Sequence, residues 1–193
     1  MSAVTDGPGT LPGPSGGRRA DLARRIDGLL RTVPDFPQPG IQFRDIMPLL
    51  ADADAFADVV AALVAGTPGP VDLVAGMEAR GFLLAAPVAA VLGAGVVPVR
   101  KAGKLPGPVA SQSYALEYGS AAVEIQPFTI PDGARVLVVD DVLATGGTAA
   151  ATVALLEACG AEVVALSFLV ELESLGGRAL LPGRAIDALL TLA

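Results

Sequence analysis

The chain has no histidine, no tryptophan and one cysteine, and aromatic residues fill only 4% of its 193 positions. Each absence excludes a kind of chemistry. Without histidine there is no Ser–His–Asp triad, no imidazole general base and no His-ligated zinc. A lone cysteine cannot form an intramolecular disulfide or a thiolate metal cluster. Cys159, in ALLEACG, reads as a small core residue. Cations are scarce too: 13 Lys and Arg stand against 20 Asp and Glu, a net charge of -7. That argues against a nucleic-acid partner, because neutralising phosphates takes clustered basic residues. Chemistry is left to carboxylates, Lys and Arg, hydroxyls, backbone amides or a bound metal ion.

Apolar residues, by contrast, are abundant: 52% hydrophobic against 17% charged, in a length that suits one domain with a sizeable core. Gly81 to Val99 carries no charge and is long enough to cross a bilayer. Pro87, Gly93, Gly95 and Pro98 divide it, however, into a helix-like FLLAAPVAAVL and a strand-like GVVPV. It reads as helix, turn and buried strand, so no membrane partner is expected. The N-terminus shows no basic and apolar leader pattern, and a cytoplasmic protein is expected. Residues 1–17 are rich in Gly, Pro and Ser and read as a flexible tail, with one domain over 18–193.

Leu22, Ile26, Leu29, Leu30 and Val33 share a helical face and predict a helix from Arg18 that stops before Pro34. PDFPQPGIQFRDI reads as an ordered Pro-rich loop. A second helix, capped by Asp52 or Asp54, is predicted to bury Phe56, Val59, Val60 and Leu63. Beyond TPGP, short apolar strands (VDLVA, GVVPV, AAVEIQ, RVLVVD, EVVALSFLV) alternate with helices, and residues 101–118 read as a long polar loop. This is an α/β pattern with a mostly parallel sheet flanked by helices, whose ligands bind beyond the carboxyl ends of the strands.

The most informative segment is VLVVDDVLATGGT. Asp140 and Asp141 close an apolar strand, and Ala144, Thr145, Gly146, Gly147 and Thr148 lead directly into a helix. Adjacent glycines let successive N–H groups converge, the helix N-terminus adds partial positive charge, and the threonines add hydroxyls: an anion cradle. It is neither a Walker A loop nor a dinucleotide turn. The acids repel phosphate, so their partners are ribose hydroxyls, Mg²⁺ or a nearby cation. The plain alternative is a strand cap followed by an ordinary turn.

This segment resembles the 5-phosphoribosyl-1-pyrophosphate (PRPP) motif of the type I phosphoribosyltransferases. PDFPQPGIQFRDI, GMEARGF, VRKAGKLPGP and YALEYG are, in the same order, similar to segments of the adenine phosphoribosyltransferase family, from about Leu22 to Gly177. The resemblance implies the type I fold with a small hood, to which 18–50 contribute, and a mobile lid loop. It implies conversion of adenine and PRPP to AMP and pyrophosphate in purine salvage, with Mg²⁺ as cofactor, in a homodimer. It places ribose on Asp140 and Asp141 and the 5′-phosphate on the 144–148 turn. Either acid is also a candidate for Mg²⁺, which is otherwise held through PRPP.

The remaining candidates suit that reaction. Breaking the C1′–pyrophosphate bond builds negative charge on the leaving group, which cations and Mg²⁺ stabilise. Glu78, Ala79 and Arg80 match the family's pyrophosphate loop, where the resemblance implies a strained peptide. Arg100, Lys101 and Lys104 open the polar loop and are candidates for the same group; their plain reading is solubility. Glu117 and Tyr118 are the acid/base candidates, since a carboxylate must serve where histidine is missing. Ile41, Gln42, Phe43 and Arg44 are the adenine candidates, with Phe43 as a stacking ring. The plain reading makes Phe43 core and pairs Arg44 with Asp45. The C-terminal AIDALLTLA is less aromatic than the family pattern. Two other functions compete. A 6-oxopurine enzyme is disfavoured because Ala149 to Glu173 contains no Lys or Arg. A DNA-binding PRPP sensor is disfavoured by the acidic charge.

Overall fold

The structure is a computed structural model and describes residues 16–115 and 119–193. Its centre is a seven-stranded sheet in the order β5-β6-β4-β3-β7-β8-β9. The strands are β3 (Leu73–Met77), β4 (Gly95–Lys101), β5 (Ala110–Ala115), β6 (Ser120–Ile125), β7 (Arg135–Leu143), β8 (Glu162–Leu172) and β9 (Ile186–Leu192). From β4 to β9 the pairings are parallel, whereas β6 joins β4 and β5 antiparallel. The mostly parallel α/β architecture expected from the alternating pattern is therefore present, with an antiparallel arm at one end.

Helices cover both faces. The helix α4 (Arg80–Leu92) returns the chain from β3 to β4, and α5 (Gly147–Ala158) returns it from β7 to β8. Side chains alternate across β7. Leu137 and Val139 pack with Leu84 and Val88 of α4, while Val136 and Val138 pack with Leu155 and Leu156 of α5. Because the two crossovers lie on opposite faces, the sheet has its switch point between β3 and β7, where such folds bind ligands.

Pro98 sits inside β4 without breaking it. Gly95 N–H donates to Asp72, and Val99 C=O accepts from Glu78 N–H, so odd-numbered residues turn their peptides toward β3. The missing N–H of Pro98 faces the other edge, which β6 joins only at Arg100 and Lys101.

The remaining elements form a subassembly on the α4 face. The helix α1 (Gly16–Leu29) begins within the segment read as a tail and ends earlier than expected. Arg31 to Val33, read from their apolar spacing as the end of the helix, belong instead to strand β1 (Arg31–Pro34), antiparallel to β2 (Gln42–Asp45). Val33 packs as a strand residue opposite Phe43, and such a pairing with a distant segment leaves no mark in helical periodicity. A short α2 (Met47–Ala51) precedes α3 (Ala53–Ala65), capped by Asp52, whose side chain accepts from Ala55 N–H at 2.9 Å. Val59, Val60 and Leu63 are buried; Phe56 is half-buried.

Three further readings need correction. The polar loop over 101–118 contains strand β5, which has no apolar alternation because its ladder with β6 holds it, while β6 supplies the buried Val123 and Ile125. Asp140 and Asp141 do not end β7, which continues to Leu143. Cys159 is half-buried at the end of α5 rather than fully in the core, and what burial it has pushes its thiol upward.

Candidate active site

The Gly-rich turn leaves β7 at its carboxyl end and enters α5. Gly146 precedes the helix with φ 82°, in the left-handed region that favours glycine, and its carbonyl accepts from Ala150 N–H. The turn bounds a cavity of about 90 Å³, lined by Met77, Asp140 and the run from Val142 to Ala149. A small polar-mouthed hollow at a helix N-terminus, with Thr145 and Thr148 at its rim, suits a phosphate. Ala144, Thr145, Gly146, Gly147 and Thr148 are thus all brought to one concavity.

Neighbouring strand residues leave on opposite faces. Asp141 turns to Arg80, the first residue of α4, with Arg80 Nε 2.7 Å from Asp141 Oδ2. The contact is an ion pair without hydrogen-bond alignment, so that buried oxygen has charge compensation but no donor. Asp140 lines the cavity, and its Oδ1 accepts from Asp141 N–H at 2.8 Å. Burial, and then the adjacent charge of Asp141, holds the Asp140 carboxyl well above the usual carboxylate range. Burial raises Asp141 as well, with Arg80 pulling the other way. Gly81 makes this approach possible: a Cβ there would lie 2.7 Å from Asp140 Oδ1 and 2.9 Å from Val139 O.

The segment between β3 and α4 has a cis peptide bond, Glu78–Ala79. Glu78 Oε2 accepts from Arg100 Nε at 3.0 Å and from Lys101 N–H at 3.1 Å. Arg100 also reaches the Lys104 carbonyl at 3.2 Å. Glu78, Ala79, Arg80, Arg100 and the start of the 101–109 loop therefore meet at the carboxyl ends of β3 and β4.

Of the adenine candidates, Phe43 joins this group. Its ring lies 4.9 Å from the Arg80 guanidinium carbon and meets Phe36 edge-on at 5.1 Å. The Arg44 side chain does not join. It is bound to Asp27 and Thr32, both at 2.7 Å, and so ties the β1–β2 ribbon to α1. Nor does it pair with Asp45, which takes Arg31 instead. Ile41 and Gln42 are exposed on the ribbon. Glu117 and Tyr118 lie outside the described residues.

Two neighbours of the turn were not among the sequence candidates. Tyr114 of β5 lies with its hydroxyl 3.1 Å from Thr148 Oγ1 and its ring edge 3.3 Å from where a Gly147 Cβ would stand. Gly177 packs directly beneath Gly146. The sequence signalled them only faintly, through one aromatic residue in the polar run ASQSYA and the Gly176-Gly177 pair. As for a metal, no group of three or more His, Cys, Asp or Glu forms a site among the described residues. Asp140, which lines the cavity, offers a hard cation a carboxylate oxygen, whereas Asp141 Oδ2 is taken up by Arg80; the remaining ligands must come from a bound phosphate compound, as Mg²⁺ sites on phosphate substrates commonly have it.

Comparison with known proteins agrees with this geometry. Residues 49–178 match the model of the phosphoribosyl transferase domain. The chain is 61% identical to an adenine phosphoribosyltransferase of Kineococcus radiotolerans, over 88% of this chain and 92% of that one. Among solved structures, the adenine phosphoribosyltransferase of Thermoanaerobacter pseudethanolicus superposes with a TM-score of 0.85 at 46% identity, covering 88% of this chain and 99% of that one. The Saccharomyces cerevisiae enzyme, solved with an imino-altritol bisphosphate and adenine, gives 0.82 at 39%, covering 88% and 99%.

Proposed function

The chain belongs to the adenine phosphoribosyltransferase family, and from that membership we infer its reaction: it transfers the 5-phosphoribosyl group of PRPP to adenine, giving AMP and pyrophosphate in purine salvage. The observation that carries the reading at the level of residues is one juxtaposition. A phosphate-sized hollow and an Arg80–Asp141 pair share the switch point of the sheet.

In this reading the 5′-phosphate sits on the 144–148 turn and the ribose hydroxyls meet Asp140 and Asp141. Asp140 lines the hollow, and its carboxylate oxygens can accept from a ribose hydroxyl. Arg80, Arg100, Lys101 and Lys104 take the pyrophosphate side, and Glu78 orients Arg100 through their 3.0 Å contact. Cations are most effective where charge develops on the departing group. Phe43 offers a face to the purine, and Arg80 over its ring couples the base side to the leaving-group side. Glu117, with Tyr118 beside it, is the carboxylate assigned to the proton on adenine N9.

Mg²⁺ belongs to the same proposal. Bound to the PRPP pyrophosphate and to Asp140 or Asp141, it would neutralise charge on the leaving group. The arm carrying β5 and the 101–109 segment is assigned as the lid, which keeps water from the electrophilic ribose. The β1–β2 ribbon is assigned as the hood. No described helix is long and apolar enough to cross a membrane, and a cytoplasmic enzyme fits that. A homodimer is supported by apolar side chains turned outward on α4 and β4: Leu83, Val91 and Val96.

A base competition tests the reading. Protein, Mg²⁺ and PRPP are offered adenine, hypoxanthine, guanine and xanthine together, and the nucleotides formed are separated. AMP alone is the expected result. Formation of a 6-oxo nucleotide would overturn the base assignment while leaving the PRPP site standing.

A further inference from the structure

Behind the phosphate turn lies a second turn, the 3-10 segment Gly177–Leu180 between β8 and β9. The two touch backbone to backbone. A Cβ on Gly146 would fall 2.3 Å from Gly177 O, and a Cβ on Gly177 would fall 2.3 Å from Ala144 O and 3.1 Å from Gly146 N. Real Cβ contacts do not come so close, and backbone on both sides cannot swing away as a side chain could. Gly146 has a second reason to be glycine, its φ of 82°. Gly177 does not adopt a left-handed φ, so contact alone demands glycine there.

The second turn is itself anchored. Arg178 grips the buried Glu171 in a two-pronged pair, Nε to Oε1 and Nη2 to Oε2, both at 2.7 Å, and its Nη1 donates to Ile186 O at 3.1 Å. Glu171 is the register partner of Leu143, the last residue of β7 before the phosphate turn. The anchor and the turn thus spring from the same rung of the sheet. A planar, two-pronged pair fixes orientation as well as distance.

We propose that Gly177, locked by the Glu171–Arg178 pair, is a positioning residue for phosphate binding: it forms the floor that holds the N–H groups of the 144–148 turn in their convergent arrangement. This rests on the reading that the turn takes the 5′-phosphate of PRPP. None of the three residues touches substrate; they act through the turn's backbone.

The test measures ribose 5-phosphate affinity by calorimetry, together with KM for PRPP, KM for adenine, kcat and thermal midpoint. Gly177→Ala should weaken ribose 5-phosphate binding and raise KM for PRPP by about tenfold or more, with KM for adenine within about twofold. Arg178→Lys keeps the charge but loses the two-pronged grip; it should move the same two quantities about three- to tenfold, and it carries the test if Gly177→Ala does not fold. Arg135→Gln breaks the Arg135–Glu162 pair at the opposite end of the same two strands and should move neither. Wild-type phosphate affinity in both Gly177→Ala and Arg178→Lys would overturn the proposal. So would a loss in which both KM values, kcat and the thermal midpoint worsen together, the mark of general destabilisation. Ribose 5-phosphate binding does not depend on transfer to adenine. A protein that binds it, loses it in Gly177→Ala and yet makes no AMP would sink the adenine reading and keep the floor.

Discussion

The turn at the end of β7 and the cluster around Arg80 lie side by side, yet they are made of different materials. In the proposed site the turn acts through its backbone: five consecutive residues, two of them adjacent glycines, would supply the amides, and the helix behind them the field. The cluster works through side chains from separate places: Phe43 of β2, Arg80 of α4, Asp141 of β7, with Glu78 and Arg100 beside them. A backbone site tolerates side-chain change but not a change of backbone path. A side-chain site tolerates small shifts of path but not loss of a group. The lesson is where each should be fragile.

The hardest blow to the first should be Gly146→Ala. Left-handed strain and overlap with Gly177 O together cost about 4 kcal/mol, so kcat/KM for PRPP should fall about 10³-fold in steady-state assays. A loss of less than tenfold would show that the turn can repack and that the contrast is overstated. On the side-chain site, Arg80→Gln removes the charge partner of buried Asp141 and the cation over Phe43. We expect about a 10²-fold loss in kcat/KM and a lowered thermal midpoint.

A gentler change separates stability from function. The folded Asp140 carboxyl lies above its ordinary value of 3.8, so the folded state binds the proton more tightly than the unfolded chain. The charge therefore destabilises the fold increasingly as pH climbs from the ordinary value through the raised one, and by a constant amount above that. Asp140→Asn should raise the thermal midpoint at pH 7, by roughly 2–4 °C per kcal/mol relieved, and should lose most of that gain below the ordinary carboxylate range. Scanning calorimetry of both proteins across pH reads this; an equal midpoint difference at every pH would refute it. Activity should fall in the same variant, because ribose loses a carboxylate. Smallest is Tyr114→Phe. Losing one hydrogen bond to Thr148, worth about 1 kcal/mol, should raise KM for PRPP about fivefold with kcat nearly unchanged in initial-rate assays.

The same contrast explains how much of the site could be read before the fold was known. VLVVDDVLATGGT displays its chemistry in order along the chain, because strand, acids, turn and helix are contiguous. Arg80 could be named by its place after a strand, but its partner Asp141 and its seat over Phe43 could not. Arg44 looked like an equal partner of Phe43; the strand alternation of β2 sends it to Asp27 instead. Tyr114 went unnoticed because β5 has no apolar rhythm and exists through its ladder with β6. Gly177 was one glycine among 23 until the turn it supports was seen to rest on it.

By itself the sequence determined the α/β alternation, the Gly/Thr turn that leads from a strand into a helix, and the exclusion of histidine chemistry and of an intramolecular disulfide, since all of these follow from composition or from residues within one turn or strand of each other. Only the tertiary structure decided that Leu29 ends a helix whose expected continuation becomes a ribbon, that Arg80 answers Asp141, and that Gly177 floors Gly146. Those facts are contacts between segments far apart in the chain. Their energies depend on sheet order and register, which no local pattern encodes.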